Sequence, residues 1–185
     1  TVIGASRRGT SGVSWQPIVM DVDRDESVVA GVAGVLSEHG RLDAVITSAG
    51  WGLSGPVETT GLEQARAQVE TNFWGTVRVV REALPVMRSQ GAGRLVLMGS
   101  LGGLIGLPFQ AYYSASKFAL EGFAEALAYE VSPFGVSVTV VEPGNAVTGF
   151  TQNRRREDPI GTGSPYARAN AAAVAAMERD ERRGA

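Results

Sequence analysis

The chain has 185 residues, a formal net charge of −2, 44% hydrophobic residues and no cysteine, which is enough for one domain with a buried core. This charge provides no basic field for nucleic acid, and no apolar run approaches the roughly 18 residues of a membrane span. The lack of cysteine excludes disulfides, thiolate metal sites and cysteine nucleophiles, and the single histidine argues against histidine triads and multi-histidine metal sites.

The first quarter of the chain reads as strand, turn, strand, helix and strand. Apolar residues at helical spacing stop at Gly40, and His39 suits the negative end of a helix dipole, so we interpret it as structural. We predict a strand at residues 1–6, a turn region to residue 14, a strand at 18–22, a helix opened by the capping-box-like pair Asp23 and Glu26, and a strand at 43–47.

The rest of the chain continues the alternation of strands and helices. A second capping-box pair, Thr60 and Glu63, opens a long helical stretch to about residue 90, with an interruption near Gly75 and a bend at Pro85. We then predict a strand at 94–98, a helix at 111–131, a strand at 136–141, a polar segment at 149–163, and a last helix from Ser164 and Pro165 to about residue 182.

This alternation predicts the fold class. Strands that alternate with helices indicate an α/β fold, a doubly wound parallel sheet covered on both faces. Ligands bind such sheets beyond the carboxyl ends of the strands. The residues that we place at these ends are Asp21, Ser48, Ala49, Gly50, Ser100, Pro143 and Gly144.

One pair of residues suggests acid–base chemistry. Lys117 is the only lysine beside sixteen arginines, and it follows Tyr113 by four residues, on the same face of a helix. A tyrosine needs about 4 kcal/mol of stabilisation to act as a base near neutrality, and one cation roughly 4 Å away supplies about that much. The alternative is a surface lysine beside a core tyrosine.

The neighbouring motifs resemble those of a known family. Tyr-Ser-Ala-Ser-Lys at residues 113–117, with Ser100 thirteen residues earlier and Asn72 within Thr-Asn-Phe-Trp-Gly, is similar to the active-site signature of short-chain dehydrogenases/reductases. The resemblance covers nearly the whole chain and implies a Rossmann-like fold that binds a nicotinamide dinucleotide. Its cofactor-binding motifs correspond here to Asp21 and Val22 at the adenine, Ser48, Ala49 and Gly50 where Asn-Ala-Gly is usual, and Pro143, Gly144 and Thr148 on the nicotinamide side.

The resemblance also implies a role for each catalytic candidate. Tyr113 would exchange the proton at the substrate oxygen, and Lys117 would also bind the nicotinamide ribose. Ser100 would hold the substrate oxygen, and Asn72 would support a proton relay through water. The alternatives are a loop serine at position 100 and a polar residue that interrupts a helix at position 72.

The first residues bear on the choice of cofactor. We interpret residues 1–6 as the second strand of the family's sheet, so that Ser6 faces the adenosine ribose. Arg7 and Arg8 would then bind a 2′-phosphate, which favours NADP(H) over NAD(H). The alternative is two solvated arginines in a turn.

The spacing at the start also predicts something about the extent of the chain. Asp21 follows Gly9 by twelve residues, too few for a glycine-rich phosphate loop, a helix and a strand. We therefore expect the family's first strand and glycine loop, and a final strand after the last helix, to lie outside these 185 residues. The 185-residue chain alone is then expected to bind NADPH poorly and to reduce nothing.

Two features near the motifs have open interpretations. The polar segment at 149–163 is either a mobile lid over the substrate or a solvated loop. Trp51, Phe109 and Phe150 flank the motifs and line either an apolar substrate pocket or the core.

These observations predict a single-domain NADP(H)-dependent oxidoreductase acting on a small carbonyl or alcohol substrate. The alternatives are a non-catalytic dinucleotide-binding regulator and a sugar-nucleotide epimerase or dehydratase. With no signal peptide at its start, the chain is expected to be cytoplasmic. We also expect a homodimer or homotetramer, formed through the helices at 61–90 and 111–131, because four apolar residues are too many for one buried stripe: Phe118, Leu120, Phe123 and Leu127.

Overall fold

The computed structural model describes residues 1–9, 14–145, 147–156 and 163–183. Strands alternate with helices, and every strand pair in these ranges is parallel, which confirms the doubly wound α/β class. The elements are β1 (Ile3–Ser6), β2 (Gln16–Val19), α1 (Asp25–His39), β3 (Ala44–Thr47), β4 (Leu53–Ser54), α2 (Leu62–Val69), a π-helical turn (Glu70–Trp74), α3 (Gly75–Gln90), β5 (Gly93–Met98), a 3₁₀ turn (Leu101–Gly103), α4 (Ala111–Val131), a second 3₁₀ turn (Ser132–Phe134), β6 (Val136–Val141), α5 (Phe150–Asn153), β7 (Arg155–Arg156) and α6 (Ala167–Arg183).

The central sheet has the strand order β3–β5–β6, so its carboxyl ends meet at one edge. Leu95 and Leu97 of β5 are fully buried and form the middle of the core. They pack with Val80, Ala83 and Met87 of α3, Ala124, Leu127 and Val131 of α4, and Val136 of β6. Because α4 contributes three of these residues, its orientation on the sheet is fixed by the core.

The strands β1 and β2 form a separate parallel pair. Within the described residues no ladder joins β1 to β3, and the side chains of Val19 and Ile46 are 67% and 63% exposed. The expectation that further strands lie outside the 185 residues stays a prediction.

The predicted strand at 18–22 is misplaced, because β2 begins at Gln16 and ends at Val19. The backbone N–H of Asp21 instead donates to the Ser27 hydroxyl, 2.8 Å away, so Asp21 already belongs to the turn before α1. Asp23 does not cap this helix, since residue 24 occupies the cap position and makes no side-chain capping bond.

The long predicted helix is divided into α2, the π-helical turn and α3, which confirms an interruption next to Gly75. The predicted cap at Thr60 is wrong: its hydroxyl donates to the carbonyl of Pro56, 2.7 Å away, and the helix follows Gly61. The last helix also starts later than predicted, at Ala167, after a turn in which Ser164 accepts a bond from the N–H of Tyr166.

None of the helices in the described ranges is long and apolar enough to cross a bilayer.

Candidate active site

The helix α4 places Tyr113 and Lys117 side by side, as its four-residue spacing predicts. Each residue is only 6% exposed, although both are polar. The Lys117 Nζ donates to the carbonyl of Met98 at 2.6 Å and lies 5.9 Å from the centre of the Tyr113 ring. The lysine is therefore a buried group at the carboxyl end of β5 and not a surface residue.

Burial shifts the pKa of both groups. Burial lowers the pKa of Lys117 to about 8, and the carboxyl of Glu121, one turn further along α4, partly opposes this. Burial raises the pKa of Tyr113. A hydrogen bond with Ser100 and the positive charge of Arg154 oppose this rise, and the negative charge of Glu181 adds to it. We expected Lys117 to lower the pKa of Tyr113, but the pKa is raised, and Lys117 is not among the groups that shift it in this arrangement.

Ser100 follows β5 and begins the 3₁₀ turn that packs on the tyrosine. Its Oγ accepts a hydrogen bond from the N–H of Gly102 at 3.1 Å. A Cβ on Gly102 would lie 3.0 Å from Cε1 of Tyr113, so a glycine here allows the turn to approach the ring closely. The N–H of Leu101 donates to the carbonyl of Pro143 at 3.2 Å, which ties this turn to the loop after β6.

Asn72 lies in the π-helical turn and is 1% exposed. Its Nδ2 donates to the carbonyl of Trp51 and to the hydroxyl of Ser116, both at 3.1 Å, while its Oδ1 accepts from the N–H of Trp51 at 3.0 Å. A Cβ on Gly50 would lie 3.1 Å from this Oδ1 and 4.0 Å from Lys117 Nζ. Asn72 therefore joins the loop after β3 to α4, close to the lysine.

The other cofactor-binding candidates lie at strand ends. Ser48, Ala49 and Gly50 follow β3, Pro143 and Gly144 follow β6, and all five are exposed. Thr148 is exposed and accepts a bond from the N–H of Phe150 at 3.2 Å.

The turn after β2 reaches the π-helical turn. Val22 packs on Gly75, where a Cβ would lie 2.7 Å from its Cγ2. Asp21 accepts a bond from the N–H of Asp23, which in turn accepts one from the Thr71 hydroxyl at 3.0 Å. Val22 thus contacts the residue that follows the π-helical turn, and Asp21 is linked to Thr71 of that turn through Asp23. Both residues predicted to bind the adenine side therefore lie near the segment that carries Asn72.

The carboxyl end of β1 carries the remaining candidates. Arg7 and Arg8 are exposed in the turn that follows the strand. The Oγ of Ser6 is buried and has no hydrogen-bond partner among the described residues. The structure therefore places an unsatisfied hydroxyl beside two arginines.

The segment that contains α5 and β7 covers the tyrosine. Phe150 packs on Tyr113 with ring centres 5.8 Å apart, and β7 pairs with β4. The Arg155 guanidinium lies 4.2 Å from the centre of the Trp51 ring. Of the three aromatic candidates, Phe150 contacts the tyrosine, and Trp51 contacts the covering segment through Arg155. Phe109 is half-buried, and its carbonyl accepts a hydrogen bond from the N–H of Gly55 at 2.8 Å. Residues 157–162 of the predicted polar segment lie outside the described residues.

Sequence reasoning missed three charged residues near the tyrosine–lysine pair. Glu121 could have been found from its four-residue spacing after Lys117. Arg154 and Glu181, whose side chains form an ion pair, carry no such signal because they come from separate elements. No cluster of three potential metal-binding side chains occurs in the part of the chain that the structure describes.

Comparisons with known proteins assign this arrangement to a family. The sequence profile described as short chain dehydrogenase matches residues 4–159. The chain belongs to the short-chain dehydrogenase family. Among short-chain dehydrogenases with curated names, it is 40% identical over 184 residues to a 3-ketodihydrosphingosine reductase of Bacteroides thetaiotaomicron, covering 99% of this chain and 68% of that protein. It is 42% identical over 139 residues to human 17-beta-hydroxysteroid dehydrogenase type 1, covering 75% of this chain and 42% of that enzyme.

Two solved structures are also similar to this chain. A short-chain dehydrogenase from Streptomyces avermitilis superposes with a TM-score of 0.85 at 32% identity, covering 98% of this chain and 68% of that one. A structure of ElxO with NADP bound gives a TM-score of 0.67 at 30% identity, covering 69% of this chain and 52% of the other.

The buried lysine generates a prediction for the protein without cofactor. The folded pKa of about 8 lies below the ordinary value of 10.5, so the unfolded state binds more protons between these values and stability rises with pH there. Lys117→Met should therefore raise the free energy of unfolding at pH 7 by up to about 3 kcal/mol. The gain should shrink as the pH rises from 8 to 10.5, as measured by urea denaturation. A variant less stable than the parent at pH 7 would contradict the assigned burial cost.

Proposed function

We propose that the protein is an NADP(H)-dependent oxidoreductase that transfers a hydride between nicotinamide and a small carbonyl or alcohol substrate. The observation that carries the proposal is the burial of Tyr113 beside the only lysine, with the Ser100 turn packed on the tyrosine ring. Family membership and the names of the relatives support the reaction class, although the chain spans 68% of one relative and 42% of the other.

The residues at the strand ends fit a dinucleotide. The Ser6 hydroxyl has no partner among the described residues and is a candidate donor to the ribose. The Lys117 ammonium lies close to the glycine at position 50, where a Cβ would be 4.0 Å from Nζ. Ser6, Arg7, Arg8, Asp21 and Val22 would hold the adenosine side. Ser48, Ala49, Gly50, Lys117, Pro143, Gly144 and Thr148 would hold the nicotinamide side. The cofactor, when bound, supplies the hydride.

In the direction of reduction, the Tyr113 hydroxyl donates its proton to the substrate oxygen as the carbonyl carbon is reduced. The proton leaves a phenolate, which the ammonium of Lys117 stabilises electrostatically in a site screened from water. The Ser100 hydroxyl donates a hydrogen bond to the same substrate oxygen and fixes its position. Asn72 holds the loop after β3 against α4, and its part in a proton relay stays a prediction.

The acid–base assignment can be tested with a neighbouring tyrosine as control. In the full-length protein, Tyr113→Phe should lower turnover by at least about 100-fold, since positioned general acids contribute roughly 10²–10⁴. Affinity for NADPH should stay within a few-fold. Lys117→Arg should impair both turnover and binding, because a planar guanidinium cannot occupy the place of the ammonium.

The readouts are loss of NADPH absorbance with a carbonyl panel and NADPH binding by fluorescence. Tyr112→Phe, on the same turn of α4 but only half-buried, should leave both unchanged. Near-normal turnover in Tyr113→Phe would refute the mechanism. Tight NADPH binding by the parent without turnover of any carbonyl would instead favour a non-catalytic dinucleotide-binding regulator.

The choice of cofactor depends on the turn after β1. Arg7 and Arg8 are exposed there, and residues 1–20 contain no aspartate or glutamate. Charged hydrogen bonds of about 1.5–3 kcal/mol imply at least a tenfold preference for NADPH over NADH. Replacing both arginines by alanine should abolish the preference in a binding titration, whereas Arg66→Ala, on the exposed face of α2, should not. Equal affinities for the two cofactors in the parent protein would refute this assignment.

Self-association is proposed through α3 and α4, on a smaller apolar surface than expected. Leu120 and Leu127 are 1% and 5% exposed, within the chain's own core, so they are not available to a partner. Phe123 is partly buried and packs against the same core, so Phe118, 46% exposed, is the one of the four that remains. Trp74, at the end of the π-helical turn before α3, is also 47% exposed.

Light scattering at micromolar concentration should therefore give the mass of a homodimer or homotetramer. Phe118→Glu should shift the protein toward the monomer, because it places a charge in the interface. Val29→Glu, at a half-exposed valine of α1, should leave the mass unchanged. A strictly monomeric parent would contradict the proposal. The cytoplasmic setting stays a prediction.

A further inference from the structure

Arg154 is a buried cation with unused hydrogen-bonding capacity. Its side chain is 2% exposed, and Nη2 forms an ion pair with Oε1 of Glu181. Among the described residues, its Nε and Nη1 atoms are buried without an acceptor. Together these two nitrogens carry three of the five N–H donors of a guanidinium. Buried donors are bonded in nearly all native structures, so these three donors call for an acceptor that the described residues do not supply.

The two arginines that follow Arg154 differ from it. Arg155 lies over the Trp51 ring and Arg156 pairs with Glu178, and both are exposed. Only Arg154 of this triplet turns inward. Its guanidinium carbon lies 5.8 Å from the centre of the Phe150 ring, and that ring lies 5.8 Å from the Tyr113 ring.

Glu181 fixes the guanidinium but leaves most of it unused. Its second carboxylate oxygen accepts from the Thr151 hydroxyl at 2.6 Å, so the carboxylate is held at both oxygens. The charge of Arg154 lowers the pKa of Tyr113 and that of Glu181 raises it, which places both within electrostatic reach of the phenol. A cation with donors that lack a partner among the described residues thus lies next to the aromatic ring that packs on Tyr113.

We propose that Arg154 is a substrate-recognition residue that binds an anionic oxygen acceptor of the substrate. The simplest such group is a carboxylate, placed a few bonds from the carbon that exchanges the hydride. Ionised acceptors form the strongest hydrogen bonds with guanidinium groups. Glu181 is the positioning residue that aims the guanidinium. This inference rests on the proposed function and specifies its substrate class as oxo acids and the corresponding hydroxy acids.

The test compares matched pairs of substrates in the full-length protein. The oxo acids are 3-oxobutanoate, 4-oxopentanoate and 5-oxohexanoate, and their uncharged partners are 2-butanone, 2-pentanone and 2-hexanone. At least one acid should have a kcat/KM tenfold or more above that of its partner. Arg154→Gln should remove this advantage through KM, and it should leave the ketones within threefold. Arg155→Gln, the exposed neighbour, should leave the advantage intact.

A binding measurement separates this inference from the proposed function. Saturation-transfer NMR with NADP⁺ present, which cannot reduce the oxo acid, should show 4-oxopentanoate bound to the parent and to Arg155→Gln, but not to Arg154→Gln. Binding that depends on Arg154 without any turnover would refute the proposed function and retain the site. Turnover of acids and ketones with equal kcat/KM, an equal loss for both in Arg154→Gln, or no binding of any oxo acid would overturn the recognition role. An equal loss for both would leave Arg154 as a structural tie to α6.

Discussion

The buried ammonium of Lys117 is the constraint around which the candidate site is built. A charged amine with 6% exposure loses most of its hydration, and fixed groups must replace the lost water. The carbonyl of Met98 provides one such group at the end of β5. Because α4 packs on β5 through Leu127 and Ala124, the amine cannot retreat to solvent without loss of core packing.

The same constraint explains the glycines and the helix irregularity nearby. A Cβ on Gly99 would lie 2.7 Å from Oε1 of Glu121, and one on Gly103 would lie 3.1 Å from it, so these glycines make room for that carboxyl beneath the Ser100 turn. On the other side, the π-helical turn directs the Asn72 amide at the Trp51 backbone and at Ser116. Turns of this kind are common at functional sites, where they redirect a side chain without ending the helix.

The sequence predicts the elements that depend on local pattern and misses contacts between distant segments. The predicted helix at 111–131 and strand at 136–141 agree with α4 and β6, whose buried residues contribute to the core. The capping pairs at Asp23 and Thr60 have the right residue types, but these side chains bond elsewhere, which local spacing does not reveal. Arg154 and Glu181 are 27 residues apart and meet only because α6 folds back over the covering segment.

The carboxyl groups of Glu121 and Glu142 share a hydrogen bond close to Lys117. Burial, together with the charge of Glu142 and a bond to it, raises the pKa of Glu121, while burial lowers that of Lys117. The pKa values of Lys117 and Glu121, which are one helical turn apart, therefore lie closer together than those of the free side chains. A polyanion that binds at this edge would raise both values, so binding would take up protons from the medium. Affinity for a dinucleotide would then weaken with increasing pH, and the number of protons taken up would be measurable as a dependence of the binding heat on the buffer.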